Sequence, residues 1–152
     1  MTLKICELIC IVLSALVAGM FWGPWLALSP SLATFEPGVF LQIVQRMNRN
    51  MASLMTVLMP AALLSPVPVL FISHGERPET FYLTLAGFAL FIVAIVVTVF
   101  VEVPIVTQIA IWTASTLPGN WQQLRDRWGA FHVIRVAAGL AGVALLVAGA
   151  IF

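Results

Sequence analysis

Four uninterrupted apolar segments, each long enough to cross a lipid bilayer, constrain the fold of this chain more than any other feature. A bilayer core needs about 20 consecutive apolar residues in an α-helix. We therefore predict membrane spans at roughly 8–28, 38–64, 79–103 and 130–151. Only 9% of the residues are charged, against about 25% in a soluble domain. The chain is expected to fold as one all-α membrane domain over residues 1–152, a four-helix bundle.

The beginning of the chain and its net charge bear on where the protein lies. Lys4 followed by an apolar run is typical of a signal peptide, but the run continues to Leu28, so we predict an uncleaved first helix. A net charge of +1 provides no field that would attract nucleic acid. We expect a multi-pass protein that has the lipid bilayer as its partner, in the inner membrane of a bacterial cell.

The third and fourth apolar patterns are longer than one span requires. The third continues well past Pro104, and the fourth begins at Trp121. They meet at the sequence TLPGN, which is typical of a tight turn, so helices 3 and 4 are predicted to form a long antiparallel hairpin. Pro60 and Pro104 are predicted to kink helices 2 and 3. Asn120, with Gln123 three residues later, predicts a side-chain N-cap for helix 4.

The hairpin brings polar residues of helices 3 and 4 to similar depths. If the turn is centred on Pro118 and Gly119, Glu102 and Arg135 lie side by side, since they are about equally far from it. A charged side chain inside a membrane is costly unless it is paired. We therefore predict a buried ion pair between Glu102 and Arg135. The pair would belong to a functional site or serve structure alone.

One face of helix 4 carries a polar stripe. Its aromatic and charged residues are spaced four, three, four and three apart: Trp121, Arg125, Trp128, His132 and Arg135. This spacing puts all five on one helical face. Gly139 and later glycines continue the stripe, so we predict a partly enclosed pocket floored by Gly139. Alternatively, the tryptophans and arginines are anchors at the membrane interface and point outward.

Helix 2 adds polar residues at the same membrane level. Its sequence FLQIVQRMNRNMASLM begins on the side of the helix 3–4 turn if there are four spans. We predict that helices 2, 3 and 4 together supply the substrate-binding residues: Arg46, Asn48, Asn50, Gln108, Trp112 and Trp128. The asparagines would otherwise serve only to hold helices together through hydrogen bonds.

The chain offers few metal ligands. Methionines recur every four residues at positions 47, 51, 55 and 59, a pattern that suits either copper(I) or pliable packing. Cys6 and Cys10 lie one helical turn apart with no further ligand beside them. His74 lies in the loop opposite His132, which argues against a haem held by both histidines. We therefore expect no metal, no haem and no other bound cofactor.

Three motifs resemble those of the anthrone oxygenase-like membrane proteins, a family of small four-helix proteins. They are MNRNMASLM in helix 2, EVPIVTQIAIW at the end of helix 3, and TLPGNWQQLRDRWGAFHVIR leading into helix 4. The pattern W-x-x-x-R-x-x-W-x-x-x-H-x-x-R in the last motif is the most specific. Val106 stands where many relatives have Asn, and some relatives have Asn at the position of His132. The resemblance extends to these residues: Asn48, Pro104, Trp128, His132 and Arg135.

The resemblance implies the oxidation of an anthrone to an anthraquinone by dioxygen, an activity of some fungal members. We accordingly predict a cofactor-independent oxygenase for an apolar aromatic substrate, with dioxygen as co-substrate. His132 would take the activated C–H proton, Arg135 with Asn48 or Arg46 would stabilise the enolate, and Glu102 would orient His132 or neutralise Arg135. The alternative is a non-catalytic accessory subunit or ligand-binding protein. It would act as a homo-oligomer or in a larger membrane complex, through the glycine face of helix 4.

Overall fold

The computed structural model describes residues 1–152, and all of its regular structure is helical. Helix α1 continues as a 3₁₀ turn, and a π-turn joins α4 to α5. The elements in chain order are α1 (Thr2–Leu28), the 3₁₀ turn (Ser29–Thr34), α2 (Pro37–Leu64), α3 (Pro66–Ser73), α4 (Pro78–Val97), the π-turn (Thr98–Glu102), α5 (Val103–Ala110) and α6 (Trp121–Ile151).

Four helical segments are long and apolar enough to cross a membrane, so the predicted all-α membrane fold is confirmed. The first is α1 with its 3₁₀ turn, and the second is α2 with α3. The third is α4 through α5, and the fourth is α6. Large apolar side chains, such as Val57, Phe71 and Phe100, are exposed on the outer faces. Their exposure suits a chain whose outer surface faces hydrocarbon rather than water.

Helix α6 lies between α1 and α4 and packs closely against both through its glycines. A Cβ atom at Gly142 would lie 2.9 Å from the Phe91 ring of α4, and one at Gly139 would lie 3.3 Å from Phe21 of α1. Small residues permit such close approach between membrane helices. Gly139 therefore does not floor a pocket as predicted, because α1 covers it.

The third membrane segment changes its packing at the π-turn. Pro104 has no N–H to donate and its ring crowds the preceding turn, so the regular hydrogen-bond pattern of the helix is interrupted there. The chain widens instead, and the N–H of Val103 donates to the carbonyl of Thr98, five residues earlier. Beyond this point α5 packs mainly against α2. The antiparallel contact of α4 with α6 therefore does not continue along α5 to a tight turn, and residues 111–120 form an irregular connection.

Helix α2 stands partly apart from the rest of the bundle. It contacts α1 and α5 but approaches α4 only sparsely. Gln45 fixes its start, because its side-chain nitrogen donates to the carbonyls of Ile109 and Trp112 at 3.0 and 2.9 Å. These carbonyls close the end of α5, where intrahelical donors run out. Pro60 lies inside α2 without ending it, and the helix continues to Leu64.

The predicted capping of α6 is only half right. The helix does begin at Trp121, directly after Asn120, but the Asn120 side chain makes no hydrogen bond to the helix. Its backbone angles (φ −99°, ψ 15°) lie outside the extended region that side-chain capping needs. The carbonyls of Pro118 and Asn120 accept the N–H groups of the first turn instead.

Candidate functional site

A buried cluster of three ionisable side chains lies where the π-turn faces α6. Arg135 Nη2 lies 3.2 Å from Glu102 Oε2, so the predicted pair is present. The same nitrogen lies 2.6 Å from Nδ1 of His132, one turn earlier on α6. Glu102 is only 3% exposed and His132 only 4%. A charge at this depth requires such a partner, which explains why Glu102 and Arg135 occur together.

The hydrogen bonds of His132 define its tautomer. Nε2 lies 3.1 Å from the carbonyl oxygen of Phe21, which can only accept, so Nε2 carries the hydrogen. Nδ1 in turn accepts from Arg135, whose guanidinium can only donate. Both nitrogens of the imidazole are therefore engaged within the protein. The distance from Nδ1 to Glu102 Oε1 is 3.6 Å, too long for a hydrogen bond.

Three buried polar atoms of the cluster have no hydrogen-bond partner within the protein. They are Oε1 of Glu102, Nε of Arg135 and Nε1 of Trp128. Trp128 stacks against the His132 ring at 5.3 Å between centroids. An unpaired buried polar atom costs about 1–3 kcal/mol. One acceptor and two donors of this group of residues are therefore buried without compensation.

All four residues line one cavity of about 590 Å³ between α2 and the α4–α5 segment, bounded also by α1 and α6. This volume lies within the usual range of small-molecule sites, about 300–1,000 Å³. Ala52, Thr56, Val99 and Val103 line the cavity and are also exposed, so it opens sideways toward the lipid. Methionines form much of the wall: Met20, Met47, Met51, Met55 and Met59.

The structure brings together only some of the residues that the sequence predicted for the site. Asn48 lines the cavity across from Glu102, His132, Arg135 and Trp128. Four others lie outside it: Arg46, Asn50, Gln108 and Trp112. Arg46 and Asn50 are exposed, because residues two positions either side of Asn48 point away from its face of α2. Gln108 is exposed on α5, and Trp112 packs in an apolar cluster around that helix.

The polar stripe of α6 faces the other helices, as predicted. Arg125, Trp128 and His132 are buried, although Trp121 is only half-buried. Arg125 lies above the cavity's polar end without lining it, and it pairs with Asp126 at 2.8 Å. The stripe therefore belongs to the protein interior rather than to a row of outward-facing interface anchors.

Two neighbours of the cluster were not anticipated from the sequence. Thr98, one turn before Glu102, accepts from Arg135 Nη1 at 3.4 Å and lines the cavity. Its four-residue spacing from Glu102 was an available signal. Phe21 supports the guanidinium of Arg135, which lies 4.4 Å above its ring, and its carbonyl accepts from His132. No sequence pattern identifies Phe21, because its position depends on how α1 packs against Gly139.

The methionines of α2 lie along an apolar wall. No group of three or more His, Cys, Asp or Glu side chains comes together in the chain. Cys6 and Cys10 are free thiols, and Cys10 is buried in the apolar core with α1 and α4 residues. The side chains in the cavity thus provide acid–base and hydrogen-bonding groups in apolar surroundings.

Comparison with known proteins identifies one family. The sequence model of the family described as Anthrone oxygenase matches residues 40–145. The matched region runs from the start of α2 to near the end of α6 and contains Asn48, Glu102, Trp128, His132 and Arg135. Comparison with curated proteins and with solved structures gives no significant match.

Proposed function

This chain belongs to the anthrone oxygenase family, and from that premise we propose that it is an oxygenase acting on an apolar aromatic substrate of the anthrone type. The substrate is held in the cavity between α2 and α4–α5, inside the membrane. The observation that carries the proposal is the set of unpaired polar atoms on Glu102, Arg135 and Trp128, residues that line one end of a largely apolar cavity. The proposed setting is the bacterial inner membrane.

The proposed reaction needs a base and an anion-stabilising group. Removal of a proton from the CH₂ group opposite the anthrone carbonyl gives an enolate. Dioxygen adds to the carbanionic carbon to form a C–O bond, and protonation gives a hydroperoxide. Loss of water from the hydroperoxide leaves the second carbonyl. One dioxygen is thus consumed, with one oxygen atom in the quinone and the other in water, and no bound cofactor is required.

Glu102 is the proposed base. Its Oε1 is the one acceptor of the cluster that is free, whereas the lone pair of His132 Nδ1 already accepts from Arg135. The proposal thus moves the proton-accepting role expected of His132 to the carboxylate. His132 becomes a positioning residue that links Arg135 to the Phe21 carbonyl.

The proposed anion site consists of two donors. Nε of Arg135 and Nε1 of Trp128 are buried without a partner within the protein, and a small movement of either side chain would turn its donor toward the enolate oxygen. Preorganised donors in a water-poor site stabilise a developing negative charge more strongly than water does. The Trp128 ring also offers an apolar face beside the aromatic substrate. Asn48, on the opposite wall, is available to a substituent of the ring.

The test is turnover of an anthrone by the protein reconstituted in lipid nanodiscs, followed by the absorbance of the anthraquinone. Oxidation of the anthrone in protein-free nanodiscs provides the uncatalysed background, and Glu102→Gln tests the proposed base. We expect the wild-type protein to exceed that background, and Glu36→Gln, a change at an exposed carboxylate, to behave as wild type. Equal rates with and without the wild-type protein across several anthrones would overturn the proposal.

The alternative of an accessory subunit loses the feature that suggested it. The glycine face of α6 is occupied within the chain, since Gly139 packs on α1 while Gly142 and Gly149 pack on α4. It therefore presents no free surface to a partner helix. An enclosed polar cluster beside a large cavity favours a small-molecule site.

A further inference from the structure

The cavity is much longer than an aromatic ring system. It follows α2 from Val44 to Leu63, which corresponds to about 28 Å of helix at 1.5 Å per residue. Glu102 lies near the middle of this length rather than at one end. Helix α2 runs antiparallel to the α4–α5 segment, because Gln45 near its start contacts the end of α5. Farther along, α2 passes Glu102 and then reaches the level of Ile95. A substrate ring at Glu102 would leave the part toward Leu63 unfilled.

We call this remaining part the apolar arm and define it by Met55, Met59, Leu63 and Ile95, with Pro60 at its edge. None of its residues is ionisable. Thr56, the polar residue beside it, already donates to the carbonyl of Ala52 at 2.8 Å. The arm therefore offers a ligand no polar partner, in contrast to the three unpaired atoms at the cluster.

The arm is open to the lipid along one side. Thr56, Pro60 and Val99 line the cavity and are exposed between α2 and α4. The span formed by α2 and α3 is also the least enclosed of the four, with 17% of its apolar window buried against 33% in the others. Methionine side chains are flexible and accommodate variable apolar shapes. A hydrocarbon chain can therefore slide into the arm sideways without first leaving the bilayer.

We propose that the substrate is an amphiphile: a phenolic or ketonic ring that carries one linear hydrocarbon chain, with the ring at Glu102 and the chain in the apolar arm. The inference rests on the proposed function for the nature of the ring. An acyl chain of a phospholipid would fill the arm but leave the polar atoms of Glu102, Trp128 and Arg135 unpaired, and its phosphate belongs at the membrane surface. A ring with a polar group at one end of a chain satisfies both parts of the cavity.

The hydrocarbon chain of the substrate contributes affinity by occupying the arm and aligning the ring, rather than through the hydrophobic effect. Because lipid is as apolar as the arm, moving a chain from bilayer to arm changes little hydrophobic free energy. A chain-bearing substrate displaces lipid from the arm as it binds, and its ring is thereby aligned with Glu102. We expect a KM, expressed as a mole fraction in the bilayer, that is at least about threefold lower for a chain-bearing ring than for the bare ring.

The experiment compares anthrone with an anthrone bearing a twelve-carbon chain, both in nanodiscs. Met59→Trp fills the arm, and Val57→Trp adds the same bulk to a lipid-facing position of the same helix. We expect Met59→Trp to remove the preference for the chain-bearing substrate. Val57→Trp should retain the preference. Equal KM values for the two substrates in the wild-type protein, or a preference that survives Met59→Trp, would overturn the inference.

A binding measurement separates this inference from the oxygenase proposal. Quenching of protein fluorescence by anthraquinone and by its twelve-carbon derivative would measure binding whether or not the protein turns over an anthrone. If neither anthrone is oxidised but the derivative binds more tightly, and Met59→Trp abolishes the difference, the oxygenase proposal fails and the chain site stands. If the two quinones bind with equal affinity to the wild-type protein and to Met59→Trp, the proposed role of the apolar arm fails regardless of turnover.

Discussion

Glu102 determines what the polar cluster can do. One of its oxygens balances Arg135 at 3.2 Å, and the other has no hydrogen-bond partner. It therefore combines a structural role with a free acceptor in the same carboxylate. Arg135 is similarly divided, because it donates to Glu102, His132 and Thr98 while its Nε remains unpaired. Two separate predictions follow from these divided roles, one for stability and one for catalysis.

Arg135→Ala should destabilise the protein by about 3–5 kcal/mol, because it leaves the carboxylate of Glu102 buried without its partner. Replacing both residues, in Glu102→Leu/Arg135→Leu, should recover much of that loss, since no uncompensated charge remains. Unfolding in mixed detergent micelles measures both effects, with Arg49→Ala, at an exposed arginine, as the control. If the double variant were no more stable than Arg135→Ala, the two residues would not be energetically coupled.

Substitution at the two candidate bases should give unequal results. Glu102→Gln removes the free carboxylate oxygen and should lower kcat by about 10²–10⁴-fold, the usual contribution of a general base. His132→Asn keeps a short side chain that accepts from Arg135, so it should retain activity within about tenfold of wild type. The measurement is anthraquinone formation in nanodiscs. A larger loss for His132→Asn than for Glu102→Gln would return the proton-accepting role to His132.

At the level of the helices, the close contact of α6 with α4 and the π-turn position the site. The Gly142–Phe91 contact sets the spacing of the two helices, and the π-turn before Pro104 delivers Glu102 to α6 while α5 turns toward α2. π-Turns interrupt helices frequently at functional sites. The separation of α2 from α4 that results is the space that the cavity occupies.

Gly142→Ala should destabilise the protein by about 1–3 kcal/mol, because the added Cβ would lie 2.9 Å from the Phe91 ring. Gly129→Ala provides a matched control on the same helix, since a Cβ there meets nothing within 4 Å. That variant should be neutral or more stable by up to about 1 kcal/mol, as alanine has the higher helix propensity. Thermal unfolding compares them. Equal stability of the two variants would contradict the close-contact account of α6.

The sequence was sufficient for the elements and for one long-range contact. Apolar length predicted the four spans, the four–three spacing predicted the inward face of α6, and the cost of an unpaired charge predicted that Glu102 meets Arg135. Other features depend on tertiary packing. Helix α2 is rotated so that Arg46 and Asn50 are exposed, and α1 covers Gly139. The spacing of residues along the sequence predicts neither feature. Pro104 signalled a distortion but not that α5 would turn toward α2.

For the whole molecule, four spans require both ends of the chain on one side of the membrane. Lys4 donates to the carbonyl of Ala150 at 2.7 Å, which joins the first and last helices at that end. The polar cluster lies along α6 toward its beginning, and the apolar arm extends from it alongside α4. The molecule therefore presents a cavity that opens toward the bilayer rather than toward water.

Tags at the two ends should be accessible from the same face of the membrane. The measurement is labelling of single cysteines added at each end, in a variant with Cys6 and Cys10 replaced by Ala, using a reagent that does not cross the bilayer. A cysteine at Ser115, in the connection between α5 and α6, serves as the opposite-face control. Labelling of the two ends from opposite faces would mean an odd number of spans and would contradict the fold.

The most direct test of the site is a structure of the protein in a bilayer with anthraquinone bound. The predicted result is a ring in the cavity beside Trp128, with one carbonyl oxygen within hydrogen-bond distance of Trp128 Nε1 or Arg135 Nε. The quantity to measure is the distance from the quinone oxygen to the nearer of these two nitrogens, and about 2.7–3.2 Å is expected. A quinone bound elsewhere, with the cavity occupied only by phospholipid chains, would contradict the assignment of this cluster as the functional site.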